Sequence, residues 1–181
     1  MVWSYGRAVA KTIELISAAA IARRVAELGG EIDARLPPGP LTVVGVLRGA
    51  FIFMADLVRA IPREMSCDFL GVRSYGDATV SSGVVEITSD LSAPIAGRHV
   101  LLVEDIADTG LTLRYLQELL AARNPASVQA CVLLSKPTFK QPAIKPEFIG
   151  FEAPDAFVVG YGLDAAQLYR NLPYIAALET D

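Results

Sequence analysis

The stretch that most constrains this chain is 100–112, V-L-L-V-E-D-I-A-D-T-G-L-T. Val100, Leu101, Leu102 and Val103 form an unbroken apolar run, the pattern of a strand buried on both faces of a parallel sheet. Glu104 and Asp105 follow at once, then Ala107, Asp108, Thr109, Gly110 and Thr112 in a short hydroxyl-bearing loop before helical spacing resumes at Leu113. Ligands of open parallel sheets bind where loops leave the carboxyl ends of strands, and a loop entering a helix offers backbone N–H groups to an anion. The stretch therefore predicts an α/β fold with a ligand-binding edge suited to phosphate. Taken alone, its acids fit metal ligands, Walker-type acids or solvated loop charges equally well.

The flanking sequence supplies more of the same architecture. Ser17 is placed to cap a helix whose Ile21, Val25 and Leu28 share one face, with Gly29-Gly30 closing it. After Pro37-Pro38-Gly39-Pro40, 41–46 reads as a strand and 50–61 as a helix with Ala50, Met54, Leu57 and Ile61 aligned. Between them Leu47-Arg48-Gly49 repeats the strand–loop–helix geometry with a cation and a glycine, which would admit an anion closely but also fits an ordinary surface arginine. Segments 65–73 and 84–88 read as strands joined by small polar residues over 74–83, which the sequence alone favours as a plain hairpin connection, a lid being the functional alternative. Leu113, Leu116 and Leu120 mark a helix, 128–134 a strand with Lys136 just beyond it, and 148–151, 157–161 and 174–178 further short strands. Strands alternate with helices up to Pro125, so the 181 residues are expected to form one parallel-sheet domain with a β-rich appendage.

Composition excludes several classes of function. A net charge of −4 lacks the basic footprint of extended nucleic-acid binding. Cys67 and Cys131 lie in strand-like runs without zinc or C-x-x-C spacing, and both are expected as reduced core residues. The only histidine, His99, has no ligand-spaced partner and is expected to be structural. The apolar segment 13–22 is interrupted by Glu14 and Ser17, and its positive charges, Arg23 and Arg24, come after it. No signal peptide and no membrane span are therefore expected, and a cytoplasmic location is.

Taken together, the 100–112 stretch, Leu47-Arg48-Gly49, S-Y-G-x-x-T-x-S-S-G at 74–83, Lys136-Pro137, F-V-V-G-Y-G-L-D at 157–164 and R-N-L-P-Y-I at 170–175 resemble the purine phosphoribosyltransferases. The similarity is to the hypoxanthine (hypoxanthine–guanine) branch and covers nearly the whole chain, 16–178, in the family's order. It implies the type I phosphoribosyltransferase fold, a central parallel sheet flanked by helices (core about 38–135) with a small β-rich hood from the N-terminal segment and about 136–181. The implied reaction is purine salvage: a 6-oxopurine and 5-phosphoribosyl-1-pyrophosphate give the nucleoside monophosphate and pyrophosphate, with Mg2+. No nucleic-acid or membrane partner is implied, and the expected assembly is a homodimer or homotetramer.

The resemblance also assigns residues. Ala107, Asp108, Thr109, Gly110 and Thr112 would cradle the 5′-phosphate, Glu104 and Asp105 would face the ribose hydroxyls and magnesium, and Asp108 would be the general base at purine N7. Arg48, where the family often has lysine, and Gly49 would bind pyrophosphate with Arg170, and the family's non-proline cis peptide would join Leu47 to Arg48. Asp164 would be a second magnesium ligand beside the pyrophosphate and is also counted among the base-binding residues. Lys136 would donate to the 6-oxygen, Phe157 would stack on the base and the Val158 backbone would read its edge. Ser74 and Tyr75 would close as a lid. Two departures stand out: Ser135 where many relatives have aspartate, and no arginine pair at 139–141. The competing readings are a nucleotide- or RNA-binding regulator of pyrimidine genes on the same fold, and an enzyme preferring xanthine or a small non-purine base.

Overall fold

The computed structural model describes residues 11–75, 84–136, 145–153 and 156–179. In chain order these form β1 (Thr12–Ile16), α1 (Ala18–Arg35), β2 (Leu41–Leu47), α2 (Phe51–Ala60), β3 (Met65–Tyr75), β4 (Val84–Ser89), β5 (His99–Ala107), α3 (Leu111–Ala121), β6 (Ser127–Ser135), β7 (Phe148–Glu152), β8 (Val158–Val159) and β9 (Ile175–Leu178). Six strands form one sheet in the order β4-β3-β2-β5-β6-β7, parallel except for β4, which runs antiparallel to β3 as a hairpin partner. A second, antiparallel sheet, β1-β9-β8, is built from the two ends of the chain and forms the expected hood.

Alternation along β5 explains the layering. Leu101 and Val103 pack with Ile21, Val25, Leu28, Phe53 and Leu57 of α1 and α2, whereas Val100 and Leu102 pack with Leu113, Leu116 and Leu120 of α3. Burying each such side chain contributes about 1.5–3 kcal/mol, which drives helices onto both faces. Because α2 and α3 lie on opposite faces, the loops leaving the adjacent strands β2 and β5 diverge. A crevice opens at the sheet's carboxyl edge, the switch point where ligands of open α/β sheets bind.

Several boundaries differ from the sequence expectation. The strand of the apolar run does not end at Val103: it stays paired with β6 through Ala107↔Ser135, so Glu104 and Asp105 are strand residues. Helix α3 starts at Leu111 rather than Leu113. Ser17 does cap α1, accepting from the Ala20 N–H at 3.2 Å, but Gly29-Gly30 lie inside the helix, which continues to Arg35. Gly29 serves packing instead, since a methyl there would overlap the Ala60 carbonyl at the end of α2. The 157–161 strand shrinks to Val158–Val159 because Gly160 and Gly162, at φ +96° and +103°, turn the chain. Cys131 is buried as expected, but Cys67 is exposed, and both thiols are free. His99 begins β5, at the end remote from the crevice, with Nδ1 2.8 Å from the Ser127 hydroxyl. No described helix is long and apolar enough to cross a membrane.

Candidate active site

The loop after β5 is shaped for an anion. Gly110 takes φ +80°, a left-handed conformation that disfavours other residues, and turns the chain into α3 without side-chain capping from its own position. The first turn of α3 carries no acidic residue. The Thr109 hydroxyl accepts from the Leu111 N–H at 3.4 Å, and other first-turn amides lack intrahelical acceptors, as at any helix start. A small cavity of ≈ 100 Å³ sits here, lined by Glu104, Ala107, Asp108, Thr109, Gly110 and Thr112 among others. The expected phosphate-loop residues are thus together, with Thr112 in the first helical turn.

The two successive acids are divided by the strand. Neighbouring residues on β5 face opposite sides, so Glu104 borders the α3-side cavity while Asp105 lies against Gly49 on the α2 side. Glu104, 6% exposed, has its pKa pushed up to about 8 by burial, with the adjacent Asp105 charge adding. Burial raises Asp105 too; the Ile106 and Asp105 backbone N–H groups and the Arg170 charge oppose this, while Asp164 reinforces it. The crevice therefore holds two carboxylates whose ionised forms call for a cation or hydroxyl partners.

Across from them, the Leu47–Arg48 peptide is cis, as the resemblance implies. A methyl on Gly49 would overlap the Asp105 carboxylate, so glycine is what lets this loop and β5 meet. The Arg48 guanidinium donates to Gln167 Oε1 at 3.1 Å. Arg170 donates to the same oxygen at 3.2 Å, pairs with Asp164 at 2.7 Å and donates to the Gly162 carbonyl at 2.7 Å. Asp164 also accepts from the Gln167 N–H at 2.7 Å. Ala166, Gln167 and Tyr169 all have φ between +50° and +72°, a concentration of unfavourable backbone of the kind found at ligand sites. Gln167, where both arginines converge, is a site residue the sequence reading missed, because an isolated glutamine in a turn carries no motif.

Where the resemblance would put the base, Lys136 follows β6 and its N–H donates to the Ala107 carbonyl at 2.9 Å. Its ammonium pairs with the Asp108 carboxylate at 3.0 Å, joining two residues that the sequence reading gave separate tasks. Phe157 is 62% exposed, a large aromatic left open on the hood, while Val158 beside it is buried. Ser74 and Tyr75 are the last residues of β3, and the rest of the expected lid, 76–83, lies outside the described residues, as does 139–141.

Among the described residues, no three His, Cys, Asp or Glu side chains converge as a metal cage. Asp105 and Asp164, close enough for their charges to interact, instead form an open acidic pair flanked by Arg170. This suits magnesium, which is usually held by one or two carboxylates together with substrate phosphates and water.

Comparison with known proteins agrees with this geometry. The Bacillus subtilis hypoxanthine-guanine phosphoribosyltransferase is 50% identical over 165 residues, covering 91% of this chain and 92% of the relative. The Escherichia coli hypoxanthine phosphoribosyltransferase is 46% identical over 167 residues, covering 91% and 94%. The crystal structure of a hypoxanthine-guanine phosphoribosyltransferase from Bacillus anthracis superposes with a TM-score of 0.88 at 38% identity, covering 94% of this chain and all (100%) of that one. With the phosphoribosyl transferase domain model matching residues 12–166 as well, the chain belongs to the phosphoribosyltransferase family.

Proposed function

We propose that this protein carries out purine salvage, transferring the 5-phosphoribosyl group of 5-phosphoribosyl-1-pyrophosphate to a 6-oxopurine, hypoxanthine or guanine. The observation that carries the proposal is the pair of loops leaving β2 and β5: one bears Arg48 and Gly49, the other the open start of α3, with Asp105 between them. A substrate with a phosphate at one end and a pyrophosphate at the other matches that spacing of anion-ready ends around buried acids. The near half-identity to hypoxanthine-guanine enzymes supports the choice of base.

In this reading Ala107, Asp108, Thr109, Gly110 and Thr112 hold the 5′-phosphate, while Glu104 and Asp105 fix the ribose hydroxyls from the two sides of β5. Arg48, Gly49 and Arg170 hold the pyrophosphate. Glu104, Asp105 and Asp164 are the candidates for holding hydrated magnesium, which when bound neutralises leaving-group charge. Displacement at the anomeric carbon passes through an oxocarbenium-like state, and Asp108 takes the proton from purine N7 as the new bond forms. Lys136, now bonded to Asp108, would exchange that partner for the 6-oxygen when the base arrives. Phe157 stacks on the ring, the Val158 backbone reads its edge, and Ser74 and Tyr75 close over the reaction. A donor at Lys136 favours 6-oxopurines over adenine, whose 6-amino group cannot accept that bond. The chain works as a single domain in a cytoplasmic homodimer or homotetramer.

The test is turnover of hypoxanthine, guanine, xanthine and adenine with phosphoribosyl pyrophosphate and magnesium. Hypoxanthine or guanine should be consumed, and adenine should not. Preference for xanthine would replace the base assignment, and binding of leader RNA without turnover of any base would overturn the enzymatic reading. Lys136→Ala should weaken 6-oxopurine use more than phosphoribosyl pyrophosphate binding; equal losses would reject its role.

A further inference from the structure

A second cavity, of ≈ 590 Å³, opens between the Arg48 loop and the β3–β4 hairpin. Arg48, Arg73, Thr88, Ser89, Gln167 and Arg170 line it, and no carboxylate is among its lining residues. Arg170 is already paired with Asp164 at 2.7 Å, whereas Arg48 and Arg73 make no ion pair among the described residues, and two such guanidinium groups around one space become favourable when an anion enters. Arg48 and Arg170 share the single oxygen of Gln167. Arg73 is exposed and makes no hydrogen bond or ion pair with any described residue, although Glu86 stands directly opposite it in the ladder. Its five donors are therefore uncommitted within the described structure.

The hairpin is irregular at this spot. Gly71 pairs with Ser89 but Val72 with Ile87, so Thr88 is an extra residue, and such bulges re-aim side chains near functional sites. Gly71 has no side chain to fill the space: a methyl there would fall 2.7 Å from the Thr88 hydroxyl and 2.9 Å from Ser89 Cβ. Two exposed hydroxyl residues and a free-standing arginine thus share a wall with the pyrophosphate-side arginines.

We infer that Arg73, with Thr88 and Ser89, forms a further wall of the leaving-group site and binds the pyrophosphate portion of phosphoribosyl pyrophosphate and the pyrophosphate product. This rests on the phosphoribosyl-transfer reading above. It adds a third cation to Arg48 and Arg170, contributed by the strand that leads into the expected lid.

The test compares wild type, Arg73→Gln and Arg73→Lys by calorimetric titration with magnesium pyrophosphate and by steady-state kinetics. Arg73→Gln should weaken pyrophosphate binding and raise the KM for phosphoribosyl pyrophosphate by roughly tenfold, the effect of about one charge-assisted hydrogen bond. The KM for hypoxanthine and the melting midpoint should stay within about twofold and about 1 °C of wild type, since exposed positions away from packed features tolerate change. Arg73→Lys should recover part of the loss, because it keeps the charge without the planar fork. Unaltered pyrophosphate binding in Arg73→Gln, or an equal loss for purine, would overturn the assignment. Arg73-dependent pyrophosphate binding in a wild type that turns over no purine would refute the salvage reading and leave the anion wall standing.

Discussion

Replacing Gly49 by alanine tests the central geometry, because one methyl group must find room where the loop after β2 meets β5. The added Cβ would overlap the Asp105 carboxylate, and Gly162 packs onto the Gly49 carbonyl from the hood, so the loop cannot simply retreat. Overpacking of this kind costs about 1–3 kcal/mol. For a chain of this length each kcal/mol lowers the melting midpoint by about 2–4 °C, giving a drop of roughly 2–12 °C. The kinetic effect should be larger in proportion if Asp105 has its proposed role, since displacing a group that positions substrate by about 1 Å can lower the rate roughly 10²-fold. Steady-state kinetics with phosphoribosyl pyrophosphate varied at saturating hypoxanthine should show kcat/KM reduced by about that factor. A stability cycle isolates the cause: in an Asp105→Ala background the methyl finds open space, so Gly49→Ala should cost at least about 1 kcal/mol less than in wild type. Strictly additive stability losses, or wild-type kinetics in Gly49→Ala, would refute the proposed contact.

Asp108→Asn should lower turnover about 10²-fold with little change in melting, because its partly exposed ion pair contributes little to stability; near-normal turnover would remove it as the proton acceptor. Tyr161, 5% exposed, donates to the Asp56 carboxylate at 2.5 Å, tying the hood to α2. Burial and that hydrogen bond push its phenol upward, so it stays a donor, and Tyr161→Phe should lose about 1.5–3 kcal/mol in urea titrations. Although burial acts to raise it, Asp68 is held below its usual pKa by N–H groups of Phe69, Ser92 and Ala93 and the Ser92 hydroxyl. A carboxylate with a lowered folded pKa stabilises above its ordinary value, and that contribution is lost as pH falls below about 4. Asp68→Asn should therefore be less stable than wild type at neutral pH, with the difference shrinking in acid; a gap that widens in acid would contradict the sign.

The features most legible in the sequence were those set by local pattern. The apolar run 100–103 announced a strand buried on both faces, and the loop residues after it are gathered at the start of α3. Reading the strand's end from hydrophobicity failed because ladder partners, not side-chain polarity, decide how far β5 runs, and Ser135 on β6 keeps Ala107 paired. Gly29 was misread for a similar reason: a glycine that ends a helix and a glycine that admits a neighbouring helix look alike until Ala60 is seen beside it. Cys67 sits in an apolar-looking run but on an exposed part of β3. Gln167, Arg73, Thr88 and Ser89 gained meaning only from three-dimensional proximity, since no spacing rule joins a turn amide to a distant hairpin.

The pairing of β1 with β9 bears on how the protein comes off the ribosome. Thr12 lies opposite Leu178 and Ile16 opposite Ile175, so the first described strand finds its partner only after about 160 further residues have been made. The six-stranded sheet, whose members run from Leu41 to Glu152, is encoded entirely ahead of residues 175–178. During that interval β1 is an unpaired strand carrying Ile13 and Leu15, 49% and 39% exposed even in the finished fold, and it must avoid neighbouring nascent chains. The hood, with the site residues it carries, should thus become ordered only once residues 175–178 are in place, after the six-stranded sheet has gained resistance to proteolysis.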